Sequence, residues 1–272
     1  MNCIICNHPM KYFFSKSYDG TPYQELMTKI GDVDYYKCEH CGLVLSKTHG
    51  DLSHAEWVML NNQFHHLLEN TTSSINQPPY IHQAMMLNVL SKNNIVDMNS
   101  CIDYAGGYGT LSRVLAKYSD LHLPVYDPYV RDEKFSEYVD KEDLTVYKTV
   151  VNSALFEHLL NRQSFDEINS LVSNDEGAMV IHTVICENIP KNPDWFYLDP
   201  PVHTTFHTNK SMEFLMKEWG YKSSIYCLSA KSWVLLKVAA EEVKEKVIQV
   251  NDELQEEYLI LREGFVDYWK GF

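Results

Sequence analysis

From residue 79 onward, apolar positions recur in two alternating patterns. Residues 80–90 carry Ile81, Ala84, Met85 and an apolar run near the end, and read as a helix. Cys101-Ile102-Asp103-Tyr104 is a short strand. Leu111, Val114, Leu115 and Tyr118 follow at i, i+3, i+4, i+7, the spacing of a helix with one buried face. Strand-like runs come next at 123–126, 149–151 and 179–181, with a helical stripe at Phe165, Ile168, Leu171 and Val172 between the last two. Residues 212–219 read as a helix, and 224–228 and 233–236 as strands close enough in sequence to be antiparallel. Residues 239–260 read as a charged amphipathic helix, where pairs such as Glu242 and Lys246 mark a solvated face. Strands separated by helices predict an α/β fold: a mostly parallel sheet covered on both faces.

The first 50 residues are different. They hold two CxxC pairs, Cys3-Ile-Ile-Cys6 and Cys38-Glu-His-Cys41, with short β-like pieces around Tyr35-Tyr36-Lys37 and Leu43-Val44-Leu45. A CxxC turn aims two thiolates at one centre, and two such turns complete a tetrahedral Zn²⁺ site. The 31 residues between the pairs suit an inserted hairpin, and Asn7-His8-Pro9 and Gly42 supply turn chemistry after each. A disulfide framework is disfavoured without a secretory signal, and a thioredoxin-type motif without a βαβ context. Cys3, Cys6, Cys38 and Cys41 are therefore expected to hold a structural zinc ion, with four thiolates leaving no open position for catalysis. Cys101, Cys186 and Cys227 lie in apolar runs and read as buried small hydrophobes. Residues 51–78 connect the two parts. The tract Asn70-Thr71-Thr72-Ser73-Ser74 before Pro78-Pro79 reads as a linker, and His65-His66 as surface polarity.

At 45% hydrophobic and 12% aromatic, the 272-residue chain can bury a sizeable core, which excludes a disordered or fibrous protein. Its net charge of −14 is a poor footprint for phosphate backbones and disfavours nucleic acid as the main partner. No apolar run reaches the roughly 20 residues of a membrane span, and the N-terminus lacks the features of a secretory signal. A cytoplasmic location is the expectation.

The segment from Cys101 to Leu115 carries the most chemistry. A strand ends in Asp103, and a loop with Gly106, Gly107 and Gly109 runs straight into the Leu111 helix. Glycines there let backbone approach a ligand, and the helix start offers free N–H groups. A second strand ends in Asp127, 24 residues on. Two acids at the carboxyl ends of neighbouring parallel strands face one crevice, and the second suits the two hydroxyls of a ribose. The loop lacks the third glycine of a dinucleotide fingerprint, and no phosphate-loop motif is present.

These residues resemble the class I S-adenosylmethionine-dependent methyltransferases. The marks are Asp103 to Gly109, Asp127-Pro128-Tyr129, the run from Val150 into Glu157-His158-Leu159, and the Gly177 turn into the following strand. Cys38-Glu-His-Cys-Gly42-Leu-Val and the stretch Pro201 to Met212 are similar to a zinc-ribbon subgroup of these enzymes. The resemblance implies a Rossmann-like, mostly parallel seven-stranded sheet preceded by a zinc-ribbon module. The expected organisation is 1–50 zinc module, 51–78 connection, 79–238 cofactor domain and 239–272 C-terminal amphipathic helix. It further implies that Gly106, Gly107 and Gly109 line the methionine part of S-adenosylmethionine, with Ala105 where the pattern has a glycine. Asp103 would orient the loop or the amino group, and Asp127 would hold the ribose. Pro128 or Tyr129 would lie near the adenine, and Asn152 and Ser153 would also face the cofactor. Glu142 and Asp143 are weaker candidates for an adenine contact.

For methyl transfer to a hydroxyl, a histidine near neutral pH is a suitable base. His203, in a polar loop on the cleft side, is the first candidate. His158 is the second, oriented by Glu157. His182 reads as structural, and Trp195-Phe196-Tyr197 as substrate wall or core. The expected activity is methylation of oxygen or carbon on a small molecule, with a sugar or nucleotide-sugar suggested by the subgroup alone. The alternatives are an RNA methyltransferase, which the charge disfavours, and an inactive cofactor-binding protein whose ribbon docks partners.

Overall fold

The computed structural model describes residues 1–69, 78–132 and 135–268. The 70–74 tract read as a linker and residues 269–272 lie outside the described residues. The strands are β1 (Met10–Lys16), β2 (Val33–Cys38), β3 (Val44–Ser46), β4 (Cys101–Tyr104), β5 (Val125–Tyr126), β6 (Thr149–Ser153), β7 (Ala178–His182), β8 (Ile185–Cys186), β9 (Thr205–Thr208), β10 (Ser223–Cys227), β11 (Ser232–Leu236) and β12 (Leu259–Glu263). The helices are α1 (Gln24–Met27), α2 (Lys47–Gly50), α3 (His54–Glu69), α4 (Tyr80–Lys92), α5 (Thr110–Ser119), α6 (Arg162–Ser170), α7 (Asn209–Trp219) and α8 (Ala240–Leu254). Among the described residues, no helix is long and apolar enough to cross a membrane.

The larger sheet has seven strands in the order β12-β10-β11-β7-β6-β4-β5. The pairs β5–β4, β4–β6 and β6–β7 are parallel, and the remaining pairs are antiparallel. This is the expected mostly parallel seven-stranded α/β sheet. One face is covered by α4, α5 and α8 through Leu87, Leu111, Leu115, Val243 and Val247. The other is covered by α6 and α7 through Phe165, Ile168, Met212, Leu215 and Trp219. Of the stripes predicted on α5 and α6, Leu111, Leu115, Phe165 and Ile168 are buried, but Tyr118 at the end of α5 is 72% exposed, and Leu171 and Val172 follow the end of α6. Sharp stops position the helices. Asn161 caps α6 by accepting the Ser164 N–H at 2.9 Å. Thr208 and Ser211 form a capping box at the start of α7, and Gly220 ends it in the left-handed region.

The chain after α7 departs from the sequence reading at one point. The helix expected over 239–260 stops at Leu254, where Gln255 turns left-handed at φ 55°. Residues 259–263 then form β12, the edge strand beside β10. Asn251 fixes the turn, donating to Leu259 O at 2.8 Å and accepting from its N–H at 2.9 Å.

The smaller sheet, β1-β2-β3-β9-β8, joins the two parts of the chain. β1, β2 and β3 come from the first 46 residues, while β9 and β8 come from the segment between β7 and α7. Val44 pairs with Phe206 and Leu45 with Thr205. The Cys3, Cys38 and Cys41 side chains belong to the same buried cluster as α6 and α7. Cys101, Cys186 and Cys227 are buried in strands, as their apolar surroundings imply.

Candidate active site and cysteine centre

The glycine loop follows from β4. Asp103 is only 1% exposed, and its Oδ1 has no hydrogen-bond partner. Gly106 packs directly against it: a Cβ there would lie 2.5 Å from Asp103 Oδ2 and 3.0 Å from Val125. Gly109 sits under Phe135, where a Cβ would come within 2.6 Å of the ring. Gly107 is the open one, with φ 56° and nothing near the position of an added Cβ. Two of the three glycines are thus required by protein packing, and Gly107 presents bare backbone. Ala105 adopts φ 61°, tolerated at a cost of about 1–2 kcal/mol, and its N–H is anchored on Tyr126 O at 2.7 Å.

Asp127 organises the neighbouring strand end. Its Oδ2 accepts the Gly107 N–H at 2.9 Å, and its Oδ1 accepts the N–H groups of Tyr129 and Val130 at 2.8 and 3.0 Å. The carboxylate therefore ties the β5 loop to the glycine loop. Pro128 and Tyr129 follow on this turn, and Tyr129 is exposed. Tyr138 closes the far side by donating to Gly107 O at 2.7 Å. Burial, with Asp127 nearby, pushes Asp103 up to about 7. Tyr80, at the start of α4, is raised by burial and by the charges of Asp103 and Asp127.

β6 lies next to β4, with Val151 paired to Asp103. Its last two residues point to opposite faces. Ser153 donates to Gln83 Oε1 at 3.0 Å, and Gln83 Nε2 reaches Ser232 at 3.5 Å. Asn152 is buried, and neither polar atom of its side chain has a partner. Glu142 and Asp143 lie on an exposed 3₁₀ turn.

Past β6, the chain makes a 3₁₀ turn over 156–158 that brings a second group together. Donor atoms of Glu157, His158 and His203 all lie within 4.8 Å of one another. Glu157 is 2% exposed; its Oε1 accepts from Tyr197 OH at 2.7 Å, and its Oε2 has no partner. Burial raises its carboxyl to about 7. The 203–204 loop is held against this turn because Thr204 N–H donates to Glu157 O at 2.7 Å. His203 Nδ1 lies 2.8 Å from Tyr197 O, so it carries the proton and leaves Nε2 as the basic nitrogen. Burial lowers His203 to about 4, keeping it neutral near pH 7. His158 is depressed further by burial and by His203 and His65. Its ring stands 5.1 Å from that of His203, edge-on.

The sequence candidates for acid–base work are thus brought together, and further residues join them. His65, read as surface polarity, has its ring 6.3 Å from His158. Tyr197, one of an aromatic triplet read as wall or core, is the partner of Glu157. Gln83 carried a faint signal, a polar residue inside an apolar helical run. His182 is held apart from the cluster, its Nδ1 2.8 Å from Lys231 O.

At the N-terminus, the four Sγ atoms of Cys3, Cys6, Cys38 and Cys41 lie within 4.8 Å of one another. The Cys3–Cys41 and Cys6–Cys38 pairs are 3.5 Å apart. Zn–S bonds of about 2.3 Å require sulfurs roughly 3.8 Å apart in a tetrahedron. The Cys3–Cys41 hydrogen bond lowers the Cys3 thiol to about 5 and raises that of Cys41, and burial raises Cys6 to about 11, so it is the convergence of the four sulfurs that suggests a metal. Gly42 (φ 79°) packs on Thr208, whose hydroxyl donates to Cys41 O and fixes the second knuckle to β9.

A family model described as a methyltransferase domain matches residues 62–223, more than half of the chain. The chain belongs to this family, and with it to the S-adenosylmethionine-dependent methyltransferases. No curated protein matches the sequence. Among solved structures, the plantazolicin methyltransferase BpumL, in complex with a pentazolic desmethylPZN analogue and S-adenosylhomocysteine, is similar at 12% identity and a TM-score of 0.42, over 65% of this chain and 90% of that one. CalO1, a methyltransferase of calicheamicin biosynthesis, is similar at 13% identity and 0.39, over 58% and 54%. The magnesium protoporphyrin IX methyltransferase of Synechocystis PCC 6803 is similar at 13% identity and 0.37, over 69% and 89%.

Proposed function

We propose that this enzyme transfers a methyl group from S-adenosylmethionine to a hydroxyl of a small, polyhydroxylated molecule such as a sugar or nucleotide-sugar. The observation that carries the reading is the placement of two unlike sites at one end of the sheet. Asp103, the glycine loop and Asp127 form the β4–β5 side, and Glu157, His158 and His203 lie just past β6.

The glycine loop residues Ala105 to Gly109 hold the methionine part of the cofactor, with Gly107 giving the closest backbone approach. Asp103 faces its amino group, and Asp127 keeps lone pairs for the ribose hydroxyls beyond the three N–H groups it already accepts. Pro128 and Tyr129 flank the adenine, and the unpartnered Asn152 side chain turns toward the cleft floor, whereas Ser153 points to the opposite face and is bonded to Gln83. When bound, the cofactor supplies an electrophilic methyl group, so the protein's task is to position and deprotonate the nucleophile. His203 Nε2 takes the acceptor proton, while Tyr197 O fixes its ring. Glu157 and His158 pack around that nitrogen and orient the acceptor. The four cysteines hold one structural zinc ion, which anchors the N-terminal strands to the cofactor domain. The charge of −14 favours a small acceptor over RNA.

A methyl-transfer screen against nucleotide sugars and related metabolites tests the reading, followed by His203→Ala on any hit. A loss of kcat of about 10²–10⁴-fold, with S-adenosylmethionine affinity unchanged, is expected. Transfer only to RNA, or an unaltered kcat in His203→Ala, would refute it.

A further inference from the structure

We propose that Glu157, His158 and His203 form a second metal site, for one divalent transition ion, separate from the four-cysteine centre. The inference rests on reading this cluster as the acceptor end of the cleft and goes beyond it. Three features of the cluster point to an ion. Its donor atoms converge within 4.8 Å. An equilateral triangle of that side has its centre about 2.8 Å from each corner, so inward shifts of about 0.7 Å reach bonding distances of roughly 2.1 Å.

Next, the lone pairs are presented and unused. Glu157 Oε2 and His158 Nδ1 are buried atoms with no hydrogen-bond partner. Burying polar atoms without a partner is unfavourable, and a bound ion would relieve that penalty. His203 Nε2 is left unprotonated because the opposite nitrogen donates to Tyr197 O.

Finally, the supporting contacts are those that fix metal ligands. The remaining ring nitrogen of His203 is committed to the backbone carbonyl of Tyr197. Tyr197 OH orients the carboxylate through its other oxygen. Ligating histidines and carboxylates are held in this manner, which fixes tautomer and direction. Two imidazoles with one carboxylate select borderline transition ions such as Zn²⁺, Fe²⁺ or Co²⁺ over Mg²⁺ or Ca²⁺. Three protein ligands leave positions open, and both histidines are only partly buried, so water or an acceptor hydroxyl has room to complete the shell. With an ion in place, His203 Nε2 is a ligand and no longer the base; the ion would orient the acceptor hydroxyl and lower its pKa, and the proton would leave to water.

Titration of the purified full chain with Co²⁺, followed by elemental analysis, tests the site. Two ions per chain are expected in the wild type and one in Glu157→Gln and in His203→Ala. The second ion should add weak ligand-field bands and no further thiolate charge transfer. This spectral readout on the wild type stands even if a variant misfolds. One ion per chain in the wild type, two retained in both variants, or a second ion with thiolate bands would overturn the site. One ion in the wild type together with loss of transfer in His203→Ala would leave the base role standing and remove the metal role alone.

Discussion

Asp103 links the electrostatics of the fold to cofactor affinity, and its response to pH can be worked out. Its carboxyl is raised from 3.8 to about 7 by burial and by Asp127. Ionising it therefore costs about 4 kcal/mol more in the fold than in water, at 1.36 kcal/mol for each tenfold. Its contribution to folding stability is full below about pH 4 and is lost as pH rises through 7. In the binding mode proposed above, the charged amino group of S-adenosylmethionine faces Asp103 and would favour the ionised carboxylate, so cofactor binding would run the other way. Affinity should then rise with pH up to about 7 and level off above it. Between pH 7.5 and 5.5 the ionised fraction falls by about 25-fold, and the association constant should fall by a similar factor. His203 stays neutral over this range, since it protonates near 4. Isothermal titration calorimetry across this interval measures the slope, and buffers of different ionisation enthalpy count the proton released. Asp103→Asn should bind more weakly with a flat profile. A flat profile in the wild type, or an equal slope in Asp103→Asn, would refute the reasoning.

Two further outcomes follow from the packing. Gly106→Ala places a methyl 2.5 Å from Asp103 Oδ2; the overpacking should cost about 1–3 kcal/mol and lower Tm by roughly 2–10 °C in scanning calorimetry. Gly107→Ala, with open space around it, should cost only about 1 kcal/mol of backbone strain and act chiefly on cofactor affinity. Removing zinc with a chelator, or making Cys38→Ser, should lower Tm by about 5 °C or more and deprotect the amides of β9 in hydrogen exchange, although β9 lies far away in sequence. Unchanged protection of 205–208 would show that the cysteine centre does not support that strand.

The parts of the fold that were legible in the sequence are those whose signal is local. The strand–glycine–helix run from Cys101 to Leu115 declares itself by periodicity and turn chemistry, and so do the CxxC pairs. The α6 stripe and the β10–β11 hairpin are equally local. The path of 239–272 was harder to read: the charged helix pattern runs on past Leu254, and the stop depends on the left-handed turn at Gln255 and the Asn251 contacts. The pairing of β3 with β9 left no trace, because alternation within a strand says nothing of which distant strand lies beside it. The same holds for His65 beside His158, and for Tyr197, whose hydroxyl looked like one more aromatic position. The glycines were noticed for their freedom, yet Gly106 and Gly109 are fixed by what lies against them.

The strand order of the smaller sheet also sets a timetable. β1, β2 and β3 leave the ribosome first, but the neighbour that completes their sheet is residue 205 and beyond. At about 5–20 residues per second, β3 waits roughly 10–30 s with one edge bare. An exposed edge of that kind invites pairing with another nascent chain. The two cysteine knuckles are both made before the wait begins. If the four cysteines take the ion proposed for them, capture at that stage would hold the hairpin in register, and zinc supply during synthesis, more than in the finished enzyme, would decide how much of the chain escapes aggregation.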